Sequence, residues 1–526
     1  MRCPSLVLLL SLTGCASADY GLGATDRGDT AATGTDDNSP GGGGGGGGAD
    51  TGLPSEDETD RLSLRPAQTD VYVFVANPDR DTVTRINVLT QEVKTVRVGH
   101  VPNAVVTTPD NLSAVVYNAG GDSVSVIHTD PVTKEMSVDT VDVRDNLNTM
   151  SLSPDGKYAL LWHDAKGVDV DAGTGGAASY NEVSVVNIAG MSHTAIVVGF
   201  NPKGVRYTRD GSRAIVFSDA SIASVDLTGA SPDTTFIPIA DPLNAPSAEE
   251  VEIDPAGHYA FVRQAATDAL TVVDLRTREV EAVPVGQNPT DLDLTPDGLG
   301  AVVVSRAALE VSVFSVADPF ADPRVVPFPD DTPFGSVIVG TDDLAVLFTN
   351  ATPADRYALW TLSGDQIALH PLIKPAASIA RTPDGGSLMV VHTSTDNPDG
   401  STPLPYQKKP AVSLIDLSDF RTNTISLSAP ILGFANSSDG KRGYVTMVDK
   451  PFMEVLHYDT LIYDEVALRS NAVFVGVLPD LDVNDGDQPP AWVSQVHPLG
   501  RMSFYDPDDA SLETITGFEL NGAIEE

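Results

Sequence analysis

From Val71 onward the chain alternates short apolar, β-branched runs with clusters of Gly, Pro, Asp and Asn. Runs such as Ala301-Val302-Val303-Val304 and Leu270-Thr271-Val272-Val273 are too short for helices and carry side chains that suit a pleated surface. Their unbroken apolar character predicts strands covered on both faces. Between them recur turns of one type: Thr108-Pro109-Asp110, Ser153-Pro154-Asp155-Gly156, Thr208-Arg209-Asp210-Gly211, Asp254-Pro255-Ala256-Gly257, Thr295-Pro296-Asp297-Gly298, Thr382-Pro383-Asp384-Gly385 and Ser437-Ser438-Asp439-Gly440. Pro pre-sets φ at the first corner, Asp bonds its own backbone, and Gly takes positive φ, so each turn forces a hairpin. The turns recur at roughly 40 to 60 residues, the length of one four-stranded blade. A second marker keeps phase with them: Pro102, Pro202, Pro246, Pro289, Pro333, Pro375 and Pro430 each stand shortly before a new blade.

The pattern predicts an all-β fold, a β-propeller of four-stranded antiparallel blades over residues 61–526. Sets of second and third strands begin at Val71, Leu112, Lys157, Ser212, His258, Leu299, Asp343, Ser387, Arg442 and Pro490, about ten in all, where ordinary propellers have four to eight blades. One large ring, two rings or fewer blades all accommodate that count. Leu62-Ser63-Leu64 is the candidate for the innermost strand of the first set, and strands from both chain ends are expected to close the ring and cover its edges.

The segments Phe74-Val75-Ala76-Asn77 and Tyr444-Val445-Thr446, with the Val-Gly-x-x-Pro stretches ending at Pro102, Pro202 and Pro289, resemble the YVTN family of β-propeller repeats. The resemblance spans about residues 65 to 520. It implies the propeller fold, and its members include both surface-layer proteins and lactonase-like enzymes, so it leaves function open.

Ahead of the repeats, residues 1–15 pair a short basic start with an apolar run too brief to span a bilayer, the form of an export signal. Its end, Leu12-Thr13-Gly14-Cys15, resembles the lipobox of bacterial lipoproteins, in which the cysteine thiol receives diacylglycerol. That resemblance implies a signal peptide over 1–14, a mature chain lipidated at Cys15, and a lipid-anchored place in the bacterial cell envelope. Ala16 rather than Asp after the cysteine implies the outer membrane. Residues 15–60, with an unbroken glycine run at 41–48, have no periodicity to bury and read as a disordered tether. Its reach is roughly 35 to 40 Å. Arg27-Gly28-Asp29 within it is a chance tripeptide in a segment rich in Gly and Asp.

Charge narrows the partners. With 32 basic against 73 acidic residues the chain carries a net charge of -41, which repels nucleic acid. The two cysteines, Cys3 and Cys15, lie in the leader, so no disulfide staples the repeats. An apolar fraction of 41% is ample for a core.

In a propeller the lead-in segments before the innermost strands rim one mouth of the channel, together with the loops between second and third strands. The lead-ins carry His100, Asn103, Asn201, Lys203, Gln287, Asn288 and Lys374 as ligand candidates. His163 and His392 hold the same place in their blades, shared with Asn118 and His497, each just before a long insertion, 164–181 and 393–410. Asp480, Asp482, Asn484, Asp485 and Asp487 cluster oxygen ligands suited to calcium, although the spacing departs from an EF-hand loop. Gly-x-Ser-x-Gly, His-Glu-x-x-His and phosphate-cradling Gly loops are absent. The residues therefore favour a binding or scaffold module for a protein, glycan or small molecule, with no catalytic residue assigned. A small-molecule hydrolase using His100 as base is the alternative.

Overall fold

A computed structural model describes residues 66–164, 180–229, 231–340, 343–382, 385–460, 462–478 and 489–520. They form ten four-stranded antiparallel sheets, spanning 67–97, 102–142, 149–197, 204–238, 248–284, 291–327, 336–371, 376–426, 431–467 and 472–516, here called blades 1 to 10. In every sheet the strands pair in chain order. The first strand of one blade lies against the first strand of the next, as Ala248–Ile253 does against Asp291–Leu294, which makes the first strands the inner ring.

The core explains the run-and-punctuation pattern. Buried apolar side chains fall into ten clusters, and each joins two adjacent blades, for example Leu160, Val183 and Val216 between blades 3 and 4. A second strand is therefore buried on both faces: Ser113–Asn118 and Gly300–Ser305 are buried throughout. Fourth strands face solvent at the rim and are correspondingly polar, as in Ile462–Ala467.

The hairpin turns form as their residues dictate. In blade 4, Asp210 Oδ1 accepts from Thr208 Oγ1 at 2.8 Å and from the Ser212 amide at 3.0 Å, and Gly211 takes φ +69°. Those bonds, the Ser212 amide first, hold the Asp210 carboxyl down at about 2. Successive turns also nest. A Cβ on Gly257 would stand 2.4 Å from Thr208 of the preceding blade, so glycine is required there by both φ and space.

Two expectations about the ends need correction. Leu62-Ser63-Leu64 lies outside the described residues, and the innermost strand of blade 1 is Ala67–Gln68. Nor do the chain ends share a blade: blade 1 is built from N-terminal strands alone and blade 10 from C-terminal ones. Closure comes from face-to-face packing of Val73, Ile86 and Val88 against Leu478, Trp492 and Phe518. Trp492 Nε1 donates to Gln68 Oε1 at 2.6 Å and Gln68 Nε2 to the Val477 carbonyl at 2.5 Å. The interface between the last blade and the first thus has the same apolar construction as the others, and no strand exchange is needed to cover it.

Candidate functional site

The lead-ins reach the inner strands through a left-handed residue before proline: Val101, Asn201 and Asn288 all have φ between 53° and 56°. Their amides are tied to the second-to-third loop of a neighbouring blade. Asn201 N donates to the Tyr180 carbonyl at 2.6 Å, Asn288 N to the Thr267 carbonyl at 3.0 Å, and Val101 N to Asp81 Oδ1 at 2.9 Å. Asparagine at this place thus makes a turn, since it tolerates left-handed φ better than other residues with a Cβ. Gln287 is exposed beside it. Asn103 is the extra residue of a β-bulge between Pro102 and Ala104, and its Oδ1 is buried without a partner in the structure.

His100 is the exposed titratable member of the set. Its Nδ1 lies 3.0 Å from Asp81 Oδ1 and its side chain is 66% exposed. The Val101 amide, then His100, hold the Asp81 carboxyl below the usual carboxylate range. Lys203 instead stitches blades 4 and 5: its Nζ is 2.7 Å from Asp219 Oδ1 and also donates to Ser247, while Asp219 accepts from the Ala248 amide at 2.9 Å.

Lys374 and His392 come together in blade 8, both enclosed. Lys374 Nζ, 0% exposed, sits 2.9 Å from Asp396 Oδ1 and 2.9 Å from the Tyr406 carbonyl. Asp396 Oδ1 accepts from the Lys408 amide at 2.9 Å as well. The insertion 393–410 is therefore folded onto the ring around a buried ammonium. His392 Nδ1 donates to the Pro375 carbonyl at 3.3 Å and its Nε2 lies 2.7 Å from Ser413 Oγ, and burial lowers its pKa to about 4.

That last contact belongs to a repeated device the sequence reading missed. The residue at the end of the second strand bonds the third residue of the third strand: Asn77 to Thr84 at 2.9 Å, Asn118 to Ser125 at 3.0 Å, Gln264 to Thr271 at 3.0 Å and Gln495 to Ser503 at 2.5 Å. His392 and Ser413 hold that place in blade 8. In blade 3 His163 follows directly on the strand Tyr158–Trp162 and makes a different contact, its Nδ1 donating to the Asn146 carbonyl at 2.6 Å and its ring edge-to-face with Tyr180 at 5.0 Å, while Ser184 bonds His193. For His392 the sharing with Asn118 stands; in blade 10 the place belongs to Gln495, not His497, because the strand Ala491–Gln495 ends two residues earlier. The Ser or Thr two residues into seven of the ten third strands is the signal that would reveal it; blades 4, 7 and 9 have Ala223, Ala358 and Glu454 there.

Beyond these, the first and second strands carry charged pairs that periodicity alone does not single out: Arg263 Nε lies 3.0 Å from Glu250 Oε2 and Arg206 Nε 3.5 Å from Glu252 Oε1. Among the described residues no cluster of three His, Cys, Asp or Glu could hold a metal. The segment with Asp480, Asp482, Asn484, Asp485 and Asp487 connects strands Ala472–Val477 and Ala491–Gln495 and lies outside the described residues, as does Cys15. The candidates sit on blades 2, 3, 4, 6 and 8, and Lys374 with His392 is the pair that the fold brings together.

No protein-family model matches the chain, and no curated protein matches it. Solved structures similar to it include a dihydro-heme d1 dehydrogenase NirN in complex with DHE, at 17% identity and a TM-score of 0.44 over 69% of this chain and 74% of that one. A Kuenenia stuttgartiensis hydrazine synthase is 18% identical, at a TM-score of 0.30 over 62% and 99%. A eukaryotic initiation factor is 11% identical, at a TM-score of 0.49 over 73% and 94%.

Proposed function

We propose that the protein is a lipid-anchored β-propeller of the bacterial outer membrane, of the YVTN kind, that serves as a binding or scaffold module. The observation that carries a module over an enzyme is that Lys203, Lys374 and His392 are committed to the scaffold, Lys374 and His392 most completely. The Leu12-Thr13-Gly14-Cys15 motif supports the anchor at Cys15, and the Gly-rich stretch 15–60 supports a tether that holds the ring clear of headgroups. In a bacterial host fed radiolabelled palmitate, the wild type is expected to take up label and Cys15→Ser none. Label retained by Cys15→Ser would reject the anchor.

One observation favours a second reading, a small-molecule hydrolase. His100 is exposed at the mouth with Nδ1 on Asp81, the arrangement in which a carboxylate orients an imidazole whose other nitrogen faces solvent. A panel of lactones and esters tests it: turnover abolished in His100→Ala supports the hydrolase, whereas turnover unchanged in that variant, or none in the wild type, removes His100 from catalysis.

A further inference from the structure

On the face of the ring away from the mouth, a groove of about 790 Å³ opens between blades 4 and 5. Its walls are the turn 208–213 of blade 4 and the turns 255–258 and 275–278 of blade 5. In a chain of 32 basic against 73 acidic residues, four arginines line this one groove: Arg209, Arg213, Arg276 and Arg278.

A cross-blade contact made in three other blades is absent at this groove. In register, Thr235 of the fourth strand of blade 4 sits opposite Ser224. The same place is Lys94 opposite Arg85 in blade 1, Arg324 opposite Val313 in blade 6 and Glu513 opposite Phe504 in blade 10. In those three blades the side chain crosses to the third-to-fourth turn of the next blade. Lys94 Nζ reaches Glu135 Oε1 at 3.1 Å, Arg324 Nη1 reaches Asp365 Oδ1 at 2.8 Å, and Glu513 accepts from Gln91. Thr235 is too short to cross, and the turn it faces carries Arg276 and Arg278.

The carboxylates nearby are already engaged. Asp274 is held by Arg276, Nε to Oδ1 at 3.3 Å and Nη2 to Oδ2 at 3.0 Å, and Asp210 is turned into its own loop by Thr208 and Ser212. Arg276 is further fixed by the Tyr259 hydroxyl at 2.9 Å. Arg209 and Arg278 are exposed, and no side-chain hydrogen bond or ion pair engages either guanidinium among the described residues. Two uncompensated guanidiniums, one on each wall, face a groove larger than a single inorganic ion.

We propose that the groove between blades 4 and 5 binds a small polyanion through Arg209 and Arg278, its carboxylate or phosphate groups pairing the two exposed guanidiniums across the gap left by the short Thr235. Guanidinium suits both groups, because its fork of donors matches two oxygens at once. The site is independent of the mouth and of the anchor, so its failure would leave the proposed function untouched.

Isothermal titration of the purified full chain with tripolyphosphate and, separately, with citrate tests the site and tells phosphate from carboxylate preference. Binding of one equivalent that weakens as salt rises is expected. Arg209→Ala with Arg278→Ala should weaken it at least tenfold without moving the thermal midpoint, while Arg97→Ala, remote and exposed, should not. Thr235→Glu places a carboxylate in the groove from within and should abolish binding while leaving the ring folded. No heat with either probe, equal affinity in the double variant, or an equal loss in Arg97→Ala would each overturn the proposal.

Discussion

Replacing Lys374 by alanine should destabilise the protein by roughly 2–4 kcal/mol and release the insertion 393–410. The lysine stem is fully enclosed, and truncating it removes buried methylenes and leaves a cavity. The Tyr406 carbonyl loses its donor, and Asp396 loses the ammonium that holds its carboxyl below the usual range, after the Lys408 amide. Lys374→Met keeps most of the stem and removes only the charge, so it should fall between wild type and Lys374→Ala in urea midpoint. Brief trypsin treatment gives a local readout, since the Lys408–Lys409 bond lies on the insertion. Cleavage there should be slow in wild type and fast in Lys374→Ala. A cleavage pattern unchanged between them would mean that the insertion is held by other contacts, such as Asn397 Nδ2 to the Leu372 carbonyl at 3.3 Å.

Lys374 also marks where sequence reading stops. The fold was legible because its markers are backbone requirements. Gly156, Gly211, Gly257 and Gly298 must take positive φ, and a proline opens most blades, so both signals survive large changes in the side chains around them. The site was legible only as a place. The sequence places Lys374 on a lead-in and His392 on a second-to-third loop, where the structure makes it the last residue of the second strand, and whether such a side chain faces the channel or crosses to a neighbouring loop depends on long-range packing. A lysine that folds its own insertion and a lysine that awaits a ligand have the same local sequence. Register added a second difficulty: His497 stands two residues past the position held by His392, and only the pairing of Gln495 with Arg501 shows it. Ring closure was misjudged for a related reason. Edge protection demands that the terminal blades be covered, and packing Trp492 and Phe518 against Val73 and Ile86 covers them as well as a shared strand would.

The repeated polar link predicts an unusual pH response. Blade 9 places Glu454 where seven of the blades have Ser or Thr and two have Ala, with Met447 in place of the Asn, Gln or His that would bond it. Glu454 is 5% exposed, its Oε2 is buried without a partner in the structure, and Glu465 lies directly opposite on the fourth strand. Burial, then Glu465, raise its pKa to about 7. A carboxyl raised in the folded state favours folding below its ordinary value of 4.5, and that stability is lost as pH rises to about 7. His392 runs the other way. Lowered from 6.5 to about 4, it favours folding above 6.5, and that stability is lost as pH falls to about 4. Each swing is worth about 3 kcal/mol. Between pH 4.5 and 6.5 the two slopes oppose each other, one proton against one, so together they leave wild-type stability nearly flat in that window. Single variants should expose the cancellation. Glu454→Gln should gain stability with rising pH across the window and exceed wild type most above pH 7. His392→Asn, which copies the Asn118 to Ser125 link of blade 2, should lose stability with rising pH instead. Urea midpoints from pH 4 to 8 measure both slopes. Parallel profiles for wild type and both variants would show that neither group changes its proton affinity on folding.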